Sequence, residues 1–333
     1  FVLMFLVLAA CGPGDPQFEQ GLAAYQKGDY KAALKEWQPL ADKGDARALY
    51  RISVMLAEGK GFRRNLAKAA KIRHEAAEKG HLEAQYQLAR MFAEGKGVKR
   101  DRALAKHFLR LAAKQGDLRA QKELAYMLSR ADSKQRDTAE AFKWYLAAAE
   151  QDDLEAIYKV GEMYAEGIGV DWDYANAAKW FRKAAARDHL MAQYQLAQLL
   201  ENGQGTVKDP AQAAKWYRKV AGRGHAGAQY RLGLLYAGGL SVEKNPRQAV
   251  KWFLKAADQG HAEARSELGR HYAGGIGVPK DLVQAYMWFN LATVVGDKAA
   301  IRHQEELRAE MTSDQIAKAQ ELTWQRLEGR KTN

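Results

Sequence analysis

The feature that most constrains the fold is a repeat of 36 residues that runs through most of the chain. Alanine returns at this spacing without a slip, at Ala48, Ala84, Ala120, Ala156, Ala192, Ala228 and Ala264. Four residues later each unit has an aliphatic side chain, as at Ile52, Leu88 and Val160. Self-similarity at this period is typical of stacked helical hairpins, so the sequence predicts an all-α solenoid.

Each unit contains two apolar patterns with helical spacing, separated by a glycine-rich hinge. In one unit, Ala156, Val160 and Tyr164 belong to the first pattern, and Ala177 and Phe181 belong to the second. Such spacings place apolar side chains on one helix face, which predicts a first helix, a hinge and a second helix. We predict that the tryptophans of the second helices, which Ile72 and Phe108 precede in register, pack where one hairpin meets the next: Trp144, Trp180, Trp216, Trp252 and Trp288.

Polar residues recur where each helix is predicted to begin. The second helices follow Asn65, Asp101, Asp137, Asp173, Asp209, Asn245 and Asp281. The slot before the first helices holds Asp45, His81, Asp117, Asp153, His189, His225, His261 and Asp297. Such side chains are predicted N-caps, since they can accept hydrogen bonds from the first free amides. Histidines one repeat apart would lie about 10 Å from each other, too far to share a zinc ion, so we predict no metal site.

The units end at a residue that is predicted to be left-handed. Glycine is the usual choice, and aspartate is tolerated there. The positions are Gly44, Gly80, Gly116, Asp152, Asp188, Gly224, Gly260 and Gly296.

The motif A-x-Y-x-L-G-x-x-Y-x-x-G-x-G-V, followed by D, A, K-W and K-A-A-x-x-G-H, resembles the Sel-one-like (SLR) repeat. This family is related to the tetratricopeptide repeat but has a longer hinge. The resemblance covers about seven units, residues 45–296, and implies a right-handed α-solenoid of stacked hairpins. Residues 17–43 resemble a tetratricopeptide hairpin and are predicted to cap the N-terminal end, and residues 297–333 are predicted to form C-terminal capping helices.

The N-terminal residues suggest an anchor. Residues 1–10 are wholly apolar, too few to cross a bilayer, and end at the only cysteine, Cys11. Leu8-Ala9-Ala10-Cys11 resembles a bacterial lipobox, which implies cleavage of a signal peptide before Cys11, lipidation of that cysteine and a tether over residues 11–16. Gly12 implies release to the outer membrane, so we expect a lipoprotein that faces the periplasm or the cell exterior. The alternative is a buried N-terminal helix with an incidental cysteine.

A binding surface is predicted where the repeat does not dictate the residue. In related solenoids the first helices line the concave groove, and a ladder of amides and cations there can hold an extended peptide. The alternative is that these residues form solvated faces. The predicted partner-binding residues are Gln85, Gln87, Gln121, Gln193, Gln195, Gln229, Arg51, Arg231 and Arg265.

The formal net charge of +12 favours an anionic partner. An exported lipoprotein does not routinely meet nucleic acid, so an acidic protein face or an anionic envelope glycan is expected instead. No nucleophile has a histidine and an acid beside it outside the repeat pattern, so we predict neither catalysis nor a cofactor. The sequence therefore predicts a non-enzymatic protein–protein interaction scaffold of the cell envelope. The resemblance suggests secretion, exopolysaccharide assembly or host contact, and the alternative is direct binding of an anionic polysaccharide.

Overall fold

The computed structural model describes residues 15–130, 137–239, 242–294 and 296–328. Eighteen α-helices make up most of these residues, and the described ranges contain no strand. The chain is therefore an all-α solenoid of stacked hairpins, as its repeat predicts. Cys11 and the lipobox, together with most of the predicted tether, lie outside the described residues.

The chain divides into two compact units. The first comprises the described residues up to Ala156 together with Ile168–Val170. Within it, each first helix packs against its own second helix, and each one after the first hairpin also packs against the second helix of the preceding hairpin. Its helices are α1 (Pro16–Gln26), α2 (Tyr30–Asp42), α3 (Ala46–Glu58), α4 (Leu66–Glu78), α5 (Leu82–Glu94), α6 (Arg102–Lys114), α7 (Leu118–Ser129) and α8 (Thr138–Glu150).

The second unit comprises Ile157–Gly167 and the described residues from Asp171 onwards. Neighbouring helices again pack in sequence order from α10, and the last helix returns to pack against α16. The helices are α9 (Leu154–Glu166), whose residues up to Ala156 belong to the first unit, α10 (Tyr174–Ala186), α11 (Leu190–Asn202), α12 (Pro210–Gly222), α13 (Ala226–Gly238), α14 (Pro246–Asp258), α15 (Ala262–Gly274), α16 (Leu282–Thr293), α17 (Lys298–Arg308) and α18 (Ser313–Glu328).

The predicted helix starts are confirmed. The side chain of Asp173 accepts from the amide of Asn176 at 2.9 Å, and Asn65, Asp101, Asp137, Asp209, Asn245 and Asp281 cap their helices in the same way. The histidines also cap: the ring Nδ1 of His225 accepts from the amide of Ala228 at 3.1 Å. Left-handed backbone is found at every predicted position, including Asp152 and Asp188 with φ of 67° and 66°.

The prediction for the tryptophan series is wrong in four repeats. Trp144, Trp180, Trp216 and Trp252 are only half-buried, whereas Phe108 and Trp288 are buried. The core position is one residue later, and it holds Leu109, Tyr145, Phe181, Tyr217, Phe253 and Phe289. This position points inward because a small residue on the facing first helix makes room for the ring: a Cβ at Gly233 would lie 2.5 Å from the ring of Phe253.

Candidate interaction surface

Five of the nine predicted partner-binding residues are buried, so that part of the prediction is wrong. Gln85, Gln121, Gln193 and Gln229 are at most 5% exposed, and Arg265 is 1% exposed. Each lies on a first helix but points into the contact with the preceding second helix. Their amides and the guanidinium therefore cannot line a surface that holds a peptide.

Hydrogen bonds explain why a polar side chain is buried there. Gln85 Nε2 donates to the carbonyl of Ala77 at 3.0 Å, and its Oε1 accepts from Gln115 Nε2 at 2.8 Å. The same pair of bonds recurs at Gln121 and Gln229. Each glutamine therefore ties α5, α7 or α13 to the end of the preceding second helix and to the C-cap glutamine one helix further on. These residues hold the repeats together.

The remaining predicted residues lie in a row that stays accessible on the first helices. Arg51, Gln87, Gln195 and Arg231 are all partly exposed. The same position in the other repeats is also partly exposed, so we define the exposed row as Arg51, Gln87 and Glu123 in the first unit and Lys159, Gln195, Arg231 and Glu267 in the second. The row combines amides with charges of both signs, and its residue type changes from repeat to repeat.

A contact that the sequence reasoning missed holds neighbouring first helices side by side. A tyrosine of one first helix lies against the capping histidine of the next, with ring centroids 4.4–4.6 Å apart. Where aspartate caps the next first helix, the position of the tyrosine can hold a side chain that binds a carboxylate. Lys122 Nζ lies 2.7 Å from Asp153, and Ser266 donates to Asp297. The matched choice of residues in the two slots is the signal that could have revealed this contact. The stacked pairs are Tyr50–His81, Tyr158–His189 and Tyr230–His261, and the rings of Tyr194 and His225 are tilted by 40°.

Charged pairs add to the contact between first helices in the first unit. Arg119 Nη2 lies 2.6 Å from Glu83, which is one repeat earlier, and 2.6 Å from Asp117 on its own helix cap. The guanidinium also lies 4.2 Å from the ring centroid of Tyr86.

A partly buried hydrogen bond joins a second helix to its own first helix in the second unit. The hydroxyl of Tyr217 donates to Glu201 at 2.7 Å, and burial together with this contact raises the pKa of Tyr217.

Three of the capping histidines, His81, His225 and His261, make stability depend on pH. Burial lowers the pKa of His225, and its Nδ1 must be unprotonated to accept from the amide of Ala228. An unfolded histidine titrates near pH 6.5, so below that pH the unfolded chain binds a proton that the folded cap does not. The neutral cap therefore makes its full contribution to the free energy of unfolding above about pH 6.5, and this contribution is lost as the pH falls below that value.

The substitution His225→Asp tests this dependence, because aspartate caps the equivalent helix at Asp117. We expect the melting temperature of the variant to fall less than that of the wild type between about pH 7.5 and 5.5, since one histidine no longer contributes. His81 and His261, whose pKa values burial also lowers, keep part of the effect in both proteins. Thermal melts followed by circular dichroism measure it, and an equal fall in both proteins would contradict the assignment.

Two further properties bear on the kind of site that is present. In the described ranges, no group of three histidine, cysteine, aspartate or glutamate side chains is arranged to hold a metal ion. None of the described helices is both long and apolar enough to cross a membrane. The candidate functional site is the accessible surface of the first helices that the exposed row lines.

The geometry defines a class of protein: a solenoid of helical hairpins with a regular core and a variable surface on the first helices. The Sel1 repeat model matches residues 46–81, 82–117, 118–153, 154–189, 190–225, 226–261 and 262–293. The chain belongs to the Sel1 repeat family, and such a scaffold fits a role in protein interaction.

Solved structures support this assignment. A Sel1 repeat protein from Oxalobacter formigenes is 30% identical, with a TM-score of 0.56 over 87% of this chain and 86% of that one. The c5321 protein, a protective antigen of uropathogenic Escherichia coli strains with an SLR fold, is 27% identical, with a TM-score of 0.52 over 94% of this chain and 83% of that one. No protein with a curated description matches the chain.

Proposed function

We propose that this protein is a non-enzymatic scaffold of the bacterial cell envelope that binds a protein partner along the exposed row. The observation that carries the proposal is the contrast between positions on the same helices. The core, cap and tyrosine positions are largely enclosed by packing, whereas the exposed row changes in charge and type while staying accessible, even where its members make local contacts such as that of Gln87 with Glu83. Residues that packing does not require are free to be selected for a partner.

The spacing of the exposed row suits an extended polypeptide. Successive helices in such a stack lie about 10 Å apart. An extended strand rises about 3.3 Å per residue, so one repeat would match about three residues of the partner. Gln87 and Gln195 can donate hydrogen bonds to its backbone and accept them from it. Charged residues such as Arg51 and Glu123 would then contact its side chains.

The test separates binding from stability. One variant carries Arg51→Ala, Gln87→Ala, Gln195→Ala and Arg231→Ala, and is used for crosslinked pull-downs from envelope extract at low and high salt. We expect it to lose the partner at both salt concentrations while keeping most of its melting temperature, because these side chains are partly exposed.

The matched control is Gln229→Ala, which removes a buried amide from the same set of first helices. It leaves the carbonyl of Ala221 without its side-chain donor, and we expect it to destabilise the chain by about 1–3 kcal/mol. Below its melting temperature it is expected to keep the partner. The scaffold proposal fails if the fourfold variant binds as well as the wild type.

Binding of an anionic polysaccharide is a second candidate, which one observation favours. The hinges at residues 59–65 and 95–101 have a single acidic residue, Asp101, which caps α6. Their basic residues are Lys60, Arg63, Arg64, Lys96, Lys99 and Arg100. Salt screens such charges over about 8–10 Å, so glycan binding would weaken steeply between the two salt concentrations of the pull-down, whereas binding through the exposed row would tolerate salt.

The envelope location is part of the proposal and depends on Cys11. We propose that lipid on this cysteine anchors the solenoid at the outer membrane, facing the periplasm or the cell exterior, because several acyl chains together give stable anchoring. Secretion, exopolysaccharide assembly and host contact are the candidate processes, and the E. coli relative, a protective antigen, supports the last.

Replacing the proposed lipid acceptor tests the anchor. We expect Cys11→Ser to release the protein from the membrane fraction, with Ser129→Ala as the control that stays there. Fractionation of cells followed by immunoblotting measures the change. A Cys11→Ser protein that remains with membranes would count against a lipoprotein.

A further inference from the structure

An arginine lies in a core slot of α4 where every later repeat has a non-cationic, largely apolar side chain. Arg73 is 7% exposed, and the residues one repeat apart that follow it in this slot are Leu109, Tyr145, Phe181, Tyr217, Phe253 and Phe289. An arginine remains protonated in a protein, and burying its charge costs free energy. Packing of the repeat therefore does not explain why the slot holds Arg73.

The partners of Arg73 inside the protein are uncharged. Its Nε donates to Ser53 Oγ at 3.2 Å, and its Nη1 lies 3.3 Å from Met91 Sδ. Ser53 is itself unusual, since its slot holds alanine or glycine in the later repeats, at Ala89, Ala125, Gly161, Ala197, Gly233 and Gly269. The serine orients the guanidinium without neutralising it. Among the described residues, no carboxylate lies within ion-pair distance of Arg73.

Arg73 lines a pocket whose other charged groups are mostly cations. The pocket has a volume of about 290 Å³ and includes Arg64, Arg90 and Lys96. Its carboxylate, Glu94, is paired with Arg90 at 2.9 Å and with Lys96 at 2.5 Å. Arg64 donates its Nε to a backbone carbonyl and, like Arg73, has no carboxylate partner in the described part of the chain. Two guanidinium groups therefore contribute positive charge to the pocket without a direct carboxylate partner in the described part of the chain.

We propose that this pocket binds an oxyanion, either a carboxylate or a phosphate or sulfate group, with Arg73 at its base and Arg64 at its rim. Planar guanidinium groups suit such ligands because two N–H groups can reach two oxygens at once. Ser53 and Met91 hold Arg73 in place, and Gln87 of the exposed row also lines the pocket. The inference depends on the pocket alone and stands whether or not the exposed row binds a protein.

The test is isothermal titration calorimetry of the full chain at constant ionic strength. Inorganic phosphate is the titrant in one experiment and acetate in the other, and each gives an affinity. The wild type is expected to bind at one site. Arg73→Leu places in the slot the residue that the next repeat has there, so it should fold with an unchanged or higher melting temperature. We expect its affinity for the anion to fall about tenfold or more, since charged hydrogen bonds are lost.

Two other variants make the result specific to the pocket. Arg90→Ala removes an exposed cation of the pocket without changing the core, and it should lower the affinity for the anion several-fold. Arg102→Ala removes an exposed arginine outside the pocket and should change nothing. Tighter binding of phosphate assigns the pocket to phosphate or sulfate groups, and tighter binding of acetate assigns it to carboxylates. Equal affinity of wild type and Arg73→Leu for both anions would overturn the proposal, as would a wild type that binds neither.

Discussion

The substitution Phe253→Ala is expected to lower the free energy of unfolding by about 3–5 kcal/mol, which is typical of an aromatic side chain lost from a packed core. Phe253 is fully buried, and its ring lies against the backbone of Gly233 and 6.1 Å from the ring of Tyr230. Because each repeat is stabilised by its neighbours, the loss should extend to adjacent repeats. Chemical denaturation followed by circular dichroism measures the change.

The adjacent residue provides the control. Trp252 is half-buried, and Lys255 Nζ lies 4.3 Å from the centroid of its ring on the outer side of the helix. We expect Trp252→Ala to cost about 1–2 kcal/mol, because only part of its area leaves water on folding. If Trp252→Ala were as costly as Phe253→Ala, the assignment of the core position would be wrong.

A methyl group at Gly205 is expected to destabilise the chain by about 2–5 kcal/mol, the sum of left-handed backbone strain and a steric clash. Gly205 has a φ of +64°, and a Cβ there would lie 2.1 Å from the backbone carbonyl carbon of Tyr174. The hinge packs directly on the start of the preceding second helix, so the backbone must move to admit alanine. The melting temperature of Gly205→Ala measures this effect.

Gly224→Ala separates strain from the clash. Gly224 has a φ of +92°, but nothing lies within 4 Å of the position that its Cβ would take. Only the backbone penalty applies, which is about 1–2 kcal/mol. Equal destabilisation by the two substitutions would show that the close approach of the hinge to Tyr174 does not matter.

The repeat and its caps could be predicted from the sequence because each has a local physical cause. A helix needs an acceptor at its start, and Asp173 or His225 supplies one wherever the period requires it. The choice between Trp252 and Phe253 could not be made in the same way, because two adjacent aromatic residues recur with the same period. The deciding information is the small residue on the facing helix, Gly233, which shows its role only once the two helices are packed.

The candidate site was predictable only in part. Gln85 and Gln87 are both amides on one first helix, yet the former is buried and the latter is accessible. The two positions differ in how often glutamine recurs. At the buried position glutamine is found in four repeats, because the backbone carbonyl to which its Nε2 donates also recurs. The Arg73 pocket could not be found from the period alone, since it needs the side chains of α4, α5 and two hinges together.

The central claim is that a partner contacts the exposed row, and site-specific photocrosslinking tests it most directly. A photoreactive amino acid is placed at Gln87 or Gln195 in the exposed row, and at Lys143 or Lys215, which are exposed on second helices, as matched controls. After irradiation of intact cells, we expect a crosslinked partner of one size from both exposed-row positions and none from the controls. Crosslinks from Lys143 and Lys215 alone, or none from Gln87 and Gln195, would contradict the account.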